Sequence, residues 1–358
     1  MRYVLKSSAD LSAEEIAAWK GLQSQRADFA SPYFSTDFLS AVSAVTASAR
    51  VLIIENAGRP VGFLPHHRRV GGLGTPIGSH LCDIHGLVAN DLPDLDVQAL
   101  MRAADLAVLP WRHAPIGQPA LGAGRVCHHA FYIVDLAQGL SAYEASRKVF
   151  AKSAMRAIRV RREKAEKDIG PVSHRFWELD PARLKRLMDW KTEQFRATRQ
   201  PNIFAHAWVK DLLHTLHSER TGALKGQLSC LYFGEELAAA HFGLRTRDVL
   251  HYWFPGYDPK FSELSPGNIL LNMMIEAAAG EGCRAVHLGP GEYRYKLEFA
   301  NASIPVTSGI VYGDSLSGRA AMTVGRVLRG VERVLPPHLS ELPTRAIRRL
   351  DRHLAFQV

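Results

Sequence analysis

The chain has little sulfur chemistry to offer. Its four cysteines, Cys82, Cys127, Cys230 and Cys283, are far apart and form neither a Cys-x-x-Cys pair nor a Cys/His cluster. That excludes a zinc site and predicts reduced, mostly buried thiols in a cytosolic protein. No apolar run approaches the ~20 residues that span a bilayer. The opening residues, MRYVLKSSADLS, hold no apolar signal core. A cytoplasmic protein is expected, soluble or peripheral at the inner face of the membrane. Acid is in deficit: 35 Asp and Glu face 44 Lys and Arg, a net charge of +9, which favours anionic partners. What the chain has is length and apolar content: 358 residues, 47% of them apolar, enough for two domains with sizeable cores.

The organising stretch runs from Val249 to Phe299. An apolar, aromatic strand is expected over Val249 to Phe254, broken by Gly256, Tyr257, Asp258 and Pro259. Ser265-Pro266-Gly267-Asn268 reads as a helix start, with a capping hydroxyl followed by proline at the first helical position. Ile269, Leu270, Met273, Met274 and Ala277 then recur at helical spacing. A short buried strand over Ala285 to Leu288 ends at Gly289-Pro290-Gly291, and a second helix carries Tyr293, Tyr295, Lys296 and Phe299. A strand, a loop and an uncharged helix N-terminus can hold a phosphate on unpaired N–H groups; an ordinary strand-helix-strand crossover has the same pattern. The stretch contains neither GxGxxG nor GxxxxGK(S/T), so Rossmann and P-loop nucleotide sites are not expected.

The order Gly256-Tyr257-Asp258-Pro259, Ser265-Pro266-Gly267, Gly289-Pro290-Gly291, Tyr295-Lys296 resembles the CelD/BcsL-type acetyltransferases, relatives of the GNAT acyltransferases and of the Fem aminoacyl transferases. The resemblance covers roughly residues 1 to 315. It departs from the pattern at His287 and Leu288, where an acidic residue often precedes the Gly-Pro-Gly, so no carboxylate role is expected at that strand end. It implies a tandem GNAT-like fold, acyl-CoA as co-substrate with no metal, and a sugar or amine acceptor in exopolysaccharide or envelope-glycan synthesis.

Taken in order, residues 11 to 45 read as two helices broken near Pro32. Arg50 to Glu55 and Pro60 to Arg69 read as a strand hairpin around Asn56-Ala57-Gly58. The glycine-rich Val70 to Gly78 reads as a surface loop or a phosphate cradle. A helix over Leu95 to Leu109 and strands over Trp111 to Ile116 and Phe131 to Asp135 follow. Residues 141 to 169 read as one long helix, with nine Lys or Arg against two Glu between Ala145 and Lys167. A strand is expected over Val172 to Glu178, then helices over Pro181 to Ala197 and Ala207 to Glu219. Gln227 to Phe233 and Leu237 to Leu244 form a second hairpin that echoes the first, a faint internal repeat. The pattern alone supports mixed α/β (α+β) structure. The expected domains are 1–138, a basic connecting helix 139–170, an acyl-CoA-binding domain 171–314 and a basic tail 315–358.

The repeat bears on which half holds the acyl-CoA. In the first half the matching helix opens on Asp91, Asp94 and Asp96, which satisfy the dipole and repel a pyrophosphate. In the second half Ser265, Gly267 and Asn268 add no charge, so that half is expected to bind the cofactor. Acyl transfer needs a deprotonated nucleophile, a polarised thioester carbonyl and a proton for the departing thiolate. The resemblance points to the backbone of Phe254, Gly256 and Tyr257 for the carbonyl and to Tyr295 for the proton. His241 and His251 lie on adjacent strands as base or relay, Asp258 as an acceptor-orienting group, and Lys296 as a phosphate or acidic-sugar partner. Each also has a plainer reading: Tyr295 as a packed aromatic, the histidines as structural, Asp258 as a turn cap, Lys296 as a solvated charge.

Two rival functions remain open. One is a catalytically silent ligand-binding relative. The other is a Fem-like transferase using aminoacyl-tRNA, for which the basic helix suits RNA phosphates but lacks interleaved aromatics. The tail carries eight arginines against three acids. Val324, Val327, Leu328, Val331 and Leu335 mark one amphipathic helix, Pro336-Pro337 break it, and Ile347, Leu350 and Leu354 mark a second. Such helices suit an anionic membrane surface or an anionic nucleotide, or pack back on the second domain.

Overall fold

A computed structural model describes residues 1–118 and 127–334, with side chains to 328. The chain forms two compact units. The first comprises residues 1–29, 33–129 and 306 onward; the second comprises 30–32 and 130–305.

In the first unit β1 (Arg2–Ser7) leads to α1 (Ala13–Ser24) and α2 (Thr36–Val45), then to the hairpin β2 (Ala49–Asn56) and β3 (Arg59–Arg68). Ser12 and Glu15 form a reciprocal capping box at the start of α1, and Ser35 caps α2. β1 pairs antiparallel with β2, Val4 opposite Ile53, and β2 with β3, Leu52 opposite Leu64. The hairpin closes through Ala57 and Gly58, both at positive φ, the conformation a two-residue turn between twisted strands requires. Two-residue strands follow, β4 (Gly74–Thr75) and β5 (Val88–Ala89), both on β3.

The helix expected over Leu95 to Leu109 is shorter. It spans only α3 (Val97–Ala103), and β6 (Val108–Pro115) has already begun by Leu109. Asp105 turns the backbone to positive φ, and Leu106, Leu109 and Trp111 enter the core with Leu52, Leu64 and Leu100. Apolar spacing that looked helical is a helix end followed by a strand.

The second unit opens with β7 (Cys127–Asp135, in this unit from Ala130). The single basic helix expected next is two: α4 (Leu140–Phe150) and α5 (Lys152–Asp168). Ala151, at φ −137° and ψ 28°, leaves the helical region between them. The reason is tertiary. Tyr143 and Arg147 of α4 bond the carbonyls of Phe299 and Ala300, whereas α5 packs Ile158 and Ala165 into the core.

β8 (Val172–Arg175) stops before Glu178, whose carboxylate accepts from the N–H groups of Leu179 and Asp180 and so ends the strand. Then come α6 (Pro181–Ala197), α7 (Ala207–Ser218), the hairpin β9 (Lys225–Phe233) and β10 (Glu236–Arg245), and β11 (Val249–Tyr257), three residues longer than expected. α8 (Pro266–Gly280), β12 (Ala285–Pro290) and α9 (Arg294–Phe299) complete the unit. Its sheet runs β7-β12-β11-β10-β9-β8, with Leu231, Phe233, Leu250, Leu271, Met274 and Leu288 among the buried core.

β13 (Ala302–Tyr312) stands next to β7 in the strand order. From Val306 it belongs to the first unit, where it pairs antiparallel with β6, Val306 opposite Pro115. α10 (Leu316–Val334) follows. Pro336-Pro337 and the second amphipathic helix expected near Ile347 to Leu354 lie outside the described residues.

The faint repeat is structural. Strand, two helices and a hairpin recur as β1-α1-α2-β2-β3 and β8-α6-α7-β9-β10, with the first strand antiparallel to the second in both. The units diverge next: where the second has the nine-residue β11, the first has only β4 and β5.

Candidate active site

The site is built around a disruption of β11. β10 and β11 pair with Phe242 opposite Phe254, but Leu244 is opposite His251. Three steps on β11 thus match two on β10, a β-bulge at Tyr252–Trp253. The Trp253 N–H donates to His241 Nε2 at 3.0 Å. Gly243 sits where β10 must approach closely: a Cβ there would stand 2.3 Å from the His251 carbonyl oxygen.

On its other edge β11 pairs in parallel with β12 only over Val249, Leu250 and His251, opposite Ala285, Val286 and His287. Beyond His251 and His287 the strands part. β12 continues on β7, with Gly289 opposite Tyr132 and Pro290 opposite Phe131, while the β11–β12 ladder stops at His251 and His287. The bulge and the parting coincide. A bulged strand bends, and here the bend falls where the two parallel strands part at their C-terminal ends.

β11 ends at Tyr257. Asp258 then caps a 3₁₀ turn over Pro259–Leu264 through Lys260 N (3.1 Å) and approaches Arg186 of α6 at 3.6 Å. Ser265 does not cap α8 with its hydroxyl as expected. It sits at φ 49°, ψ 54°, and no side chain caps the helix. Its carbonyl takes the N–H groups of Asn268 and Ile269 instead. Gly267 has open space where a side chain would stand. In the first unit Asp96 fills the corresponding place, accepting from Gln98 and Ala99 N–H at 2.9 and 3.0 Å. Of these two corresponding helices, α8 is the one whose first turn no side chain caps.

Two predicted residues, His241 and Tyr295, flank Tyr252 at the bulge. The His241 ring stacks on Tyr252 at 4.3 Å and 4°, and Tyr252 lies 6.2 Å from Tyr295. Tyr295 also packs against the core of the unit. His241 is fully buried, and burial, then the neighbouring His251, hold its pKa well below that of free imidazole. Its Nε2 lone pair is taken by the Trp253 N–H, so a neutral ring carries its proton on Nδ1, which has no partner. In this arrangement the base expected at His241 has no lone pair to offer, and its observed job is to hold the bulge. His287 is likewise kept neutral by burial, its pKa lowered to about 3.

Lys296 is not a solvated charge. It is buried, donates to the Pro290 carbonyl at 2.5 Å and lies 5.3 Å from the Tyr293 ring, which ties α9 to the turn after β12. Phe254 is buried against Phe204, and Tyr257 is exposed.

Sequence reasoning missed Tyr252, Arg186 and Lys191. Lys191 on α6 lies 5.2 Å from the Phe195 ring, and burial lowers its pKa to about 8. Its only sequence signal was its place on the apolar face of α6. Among the described residues no group of His, Cys, Asp and Glu is arranged to hold a metal ion.

Residues 152–297 match the family model described as an acetyltransferase (GNAT) domain. No curated protein matches the chain in sequence. Among solved structures, FemX aligns with a TM-score of 0.58 at 8% identity, covering 90% of this chain and 99% of its own. The C-terminal domain (DUF2156) of a protein assigned as a lysylphosphatidylglycerol synthetase, from Agrobacterium fabrum, aligns at 0.51 and 13% identity, covering 88% and 97%. A tandem GNAT protein from the clavulanic acid biosynthesis pathway aligns at 0.50 and 12%, covering 88% and 99%. At such identities these likenesses speak to fold alone. The fold is a tandem GNAT-like one, and the domain over 152–297 makes the protein an acyltransferase. GNAT domains take acyl-CoA as co-substrate together with an acceptor.

Proposed function

We propose that the protein is a CelD/BcsL-type transferase. It moves an acyl group, acetyl first among candidates, from acyl-CoA to the nitrogen or oxygen of an amino sugar or glycan precursor in exopolysaccharide or envelope synthesis. The observation that carries the reading is the parting of β11 from β12 after His251 and His287, followed directly by an α8 N-terminus with no capping side chain. A strand edge beyond the end of its ladder suits the pantetheine amides. The α8 N-terminus suits the pyrophosphate. Peptide N–H groups over Phe254, Gly256 and Tyr257 are the candidates for polarising the thioester carbonyl. The acceptor attacks that carbonyl and gives its proton to solvent, the carbon–sulfur bond breaks, and Tyr295 supplies the proton to the leaving thiolate and takes one back from solvent. His241 fixes the bulge that aims these groups, Asp258 and Arg186 brace the turn that follows, and Lys296 holds the turn after β12.

Release of free CoA thiol from acetyl-CoA, dependent on an added amino sugar, tests the reading. Acetyl-CoA binding without turnover over a panel of sugars and amines would favour the silent relative instead. The Fem-like reading rests on the likeness of fold to FemX and on the basic α5; retention of charged tRNA on filters, with no thiol release, would favour it. For the tail, α10 exposes Leu316, Val324 and Val327 beside Arg319 and Arg326, a pattern that suits an anionic membrane face or nucleotide. A cytoplasmic location fits acyl-CoA supply.

A further inference from the structure

The corner between α4 and α5 exposes apolar surface that the core of the second unit does not use. α4 and α5 bury Tyr143, Ile158 and Ala165 against that core, with Leu140 and Met155 packed beside them. Val149 and Phe150, adjacent at the end of α4, are 73% and 79% exposed. An isolated exposed leucine or valine needs no explanation, but two large apolar neighbours at a chain corner do.

The chain on either side of them is rich in cations. Between Ala145 and Arg162 the chain has seven Lys or Arg and no acid. Lys148, Lys152, Arg156 and Arg159 are exposed. Arg159 and Arg162 pair one turn on with Glu163 and Glu166. Lys148, Lys152 and Arg156 pair with no acid among the described residues.

We infer that the α4–α5 corner docks on an anionic lipid bilayer, with Val149 and Phe150 entering the headgroup–acyl boundary and Lys148, Lys152 and Arg156 meeting lipid phosphates. Cations alone would suit any polyanion. The apolar pair between them favours lipid over nucleic acid, because a phosphodiester backbone offers nothing for two neighbouring aliphatic and aromatic side chains to enter, whereas a bilayer does.

Co-sedimentation of the full-length protein with vesicles of phosphatidylglycerol in phosphatidylcholine, against phosphatidylcholine alone, tests this. Wild type binds the anionic vesicles, and raised salt weakens that binding. Phe150→Asp weakens it by ~10-fold or more, and Lys148→Gln/Lys152→Gln/Arg156→Gln together by ~100-fold. Both keep acetyl-CoA binding and melting temperature, since none of these side chains packs in the core. Phe150→Trp keeps binding and adds an emission component that moves to shorter wavelength with anionic vesicles. Vesicle binding by Phe150→Asp equal to wild type overturns the inference, as it would if the tail alone held the membrane. So does a concentration-dependent dimer that Phe150→Asp abolishes, or tRNA retention lost in the triple variant without any vesicle binding.

Discussion

Replacing His241 separates two ideas of what a buried histidine does beside a catalytic strand. In His241→Ala the Trp253 N–H loses its acceptor at 3.0 Å. An unsatisfied buried donor costs about 1–3 kcal/mol. The ring stacked on Tyr252 at 4.3 Å also disappears, leaving a cavity in a fully buried site, and aromatic-to-alanine truncations of that kind cost about 3 kcal/mol or more. A loss of roughly 4 kcal/mol is expected, read as a melting temperature ~8–16 °C lower for a unit of this size. His241→Gln restores an acceptor but not the stack, and loses about half as much. Acyl-CoA affinity, measured by calorimetry, falls in Ala and recovers in part in Gln, because the bulge sets where β11 leaves β12. The pH profile of kcat/KM keeps its limbs in His241→Gln. The contrary result is specific: a His241→Ala protein within about 1 kcal/mol of wild-type stability, with kcat down ~10²-fold and a limb of the pH profile gone, makes His241 the base and refutes the positioning argument.

Tyr295→Phe should lower kcat by ~10²-fold or more with little change in KM for acyl-CoA; an unchanged kcat leaves Tyr295 as packing. Gly267→Asp has room for its side chain, and a carboxylate in the first turn of α8 stabilises the helix by about 0.3–1 kcal/mol, so the variant folds normally while calorimetry finds no acyl-CoA binding. Normal binding would move the pyrophosphate away from α8. Acid should unfold the protein well above the carboxylate range. His66, His67 and His287 are buried and neutral, with pKa values lowered mainly by burial to about 4, 3 and 3. A depressed native pKa means the unfolded chain binds protons first, so their contribution is complete above the unfolded value near 6.5 and shrinks below it. At pH 5 each forfeits about 2 kcal/mol. Urea midpoints should therefore fall steeply between pH 6.5 and 5; a flat profile would show that these rings are not held neutral.

Local sequence determined much of this. Ser12 with Glu15, Ser35 and Asp96 cap helices through side chains one turn away, so their positions are readable from neighbours alone. The two hairpins announced themselves by alternating apolar runs around short turns, and their echo suggested two similar halves; the tandem GNAT-like fold was what the family resemblance implied. The contrast between Asp96 and the uncharged Ser265-Pro266-Gly267 was likewise legible, because capping charge is a property of the residue itself. The geometry of that start was not: Ser265 lies in the left-handed region and caps nothing with its hydroxyl.

Tertiary structure alone decided where helical and strand periods change hands. Leu106 and Leu109 fit a helix of the right spacing, and only the core beside Leu52 and Leu64 pulls them into a turn and a strand. Val306–Tyr312 had no mark of which unit it would join until β6 offered it a ladder. The break at Ala151 follows from anchors on Phe299 and Ala300, about 150 residues away. Most of all, the bulge at Tyr252–Trp253 and the parting of β11 from β12 depend on register against β10 on one edge and β12 on the other. A one-residue slip in a strand leaves its composition unchanged and re-aims every side chain. The sequence offered His241, Asp258 and Tyr295 as candidates but not Tyr252, while the pairing of distant strands decided that His241 holds a peptide N–H, that Tyr252 stands between it and Tyr295, and that β11 and β12 part after His251 and His287.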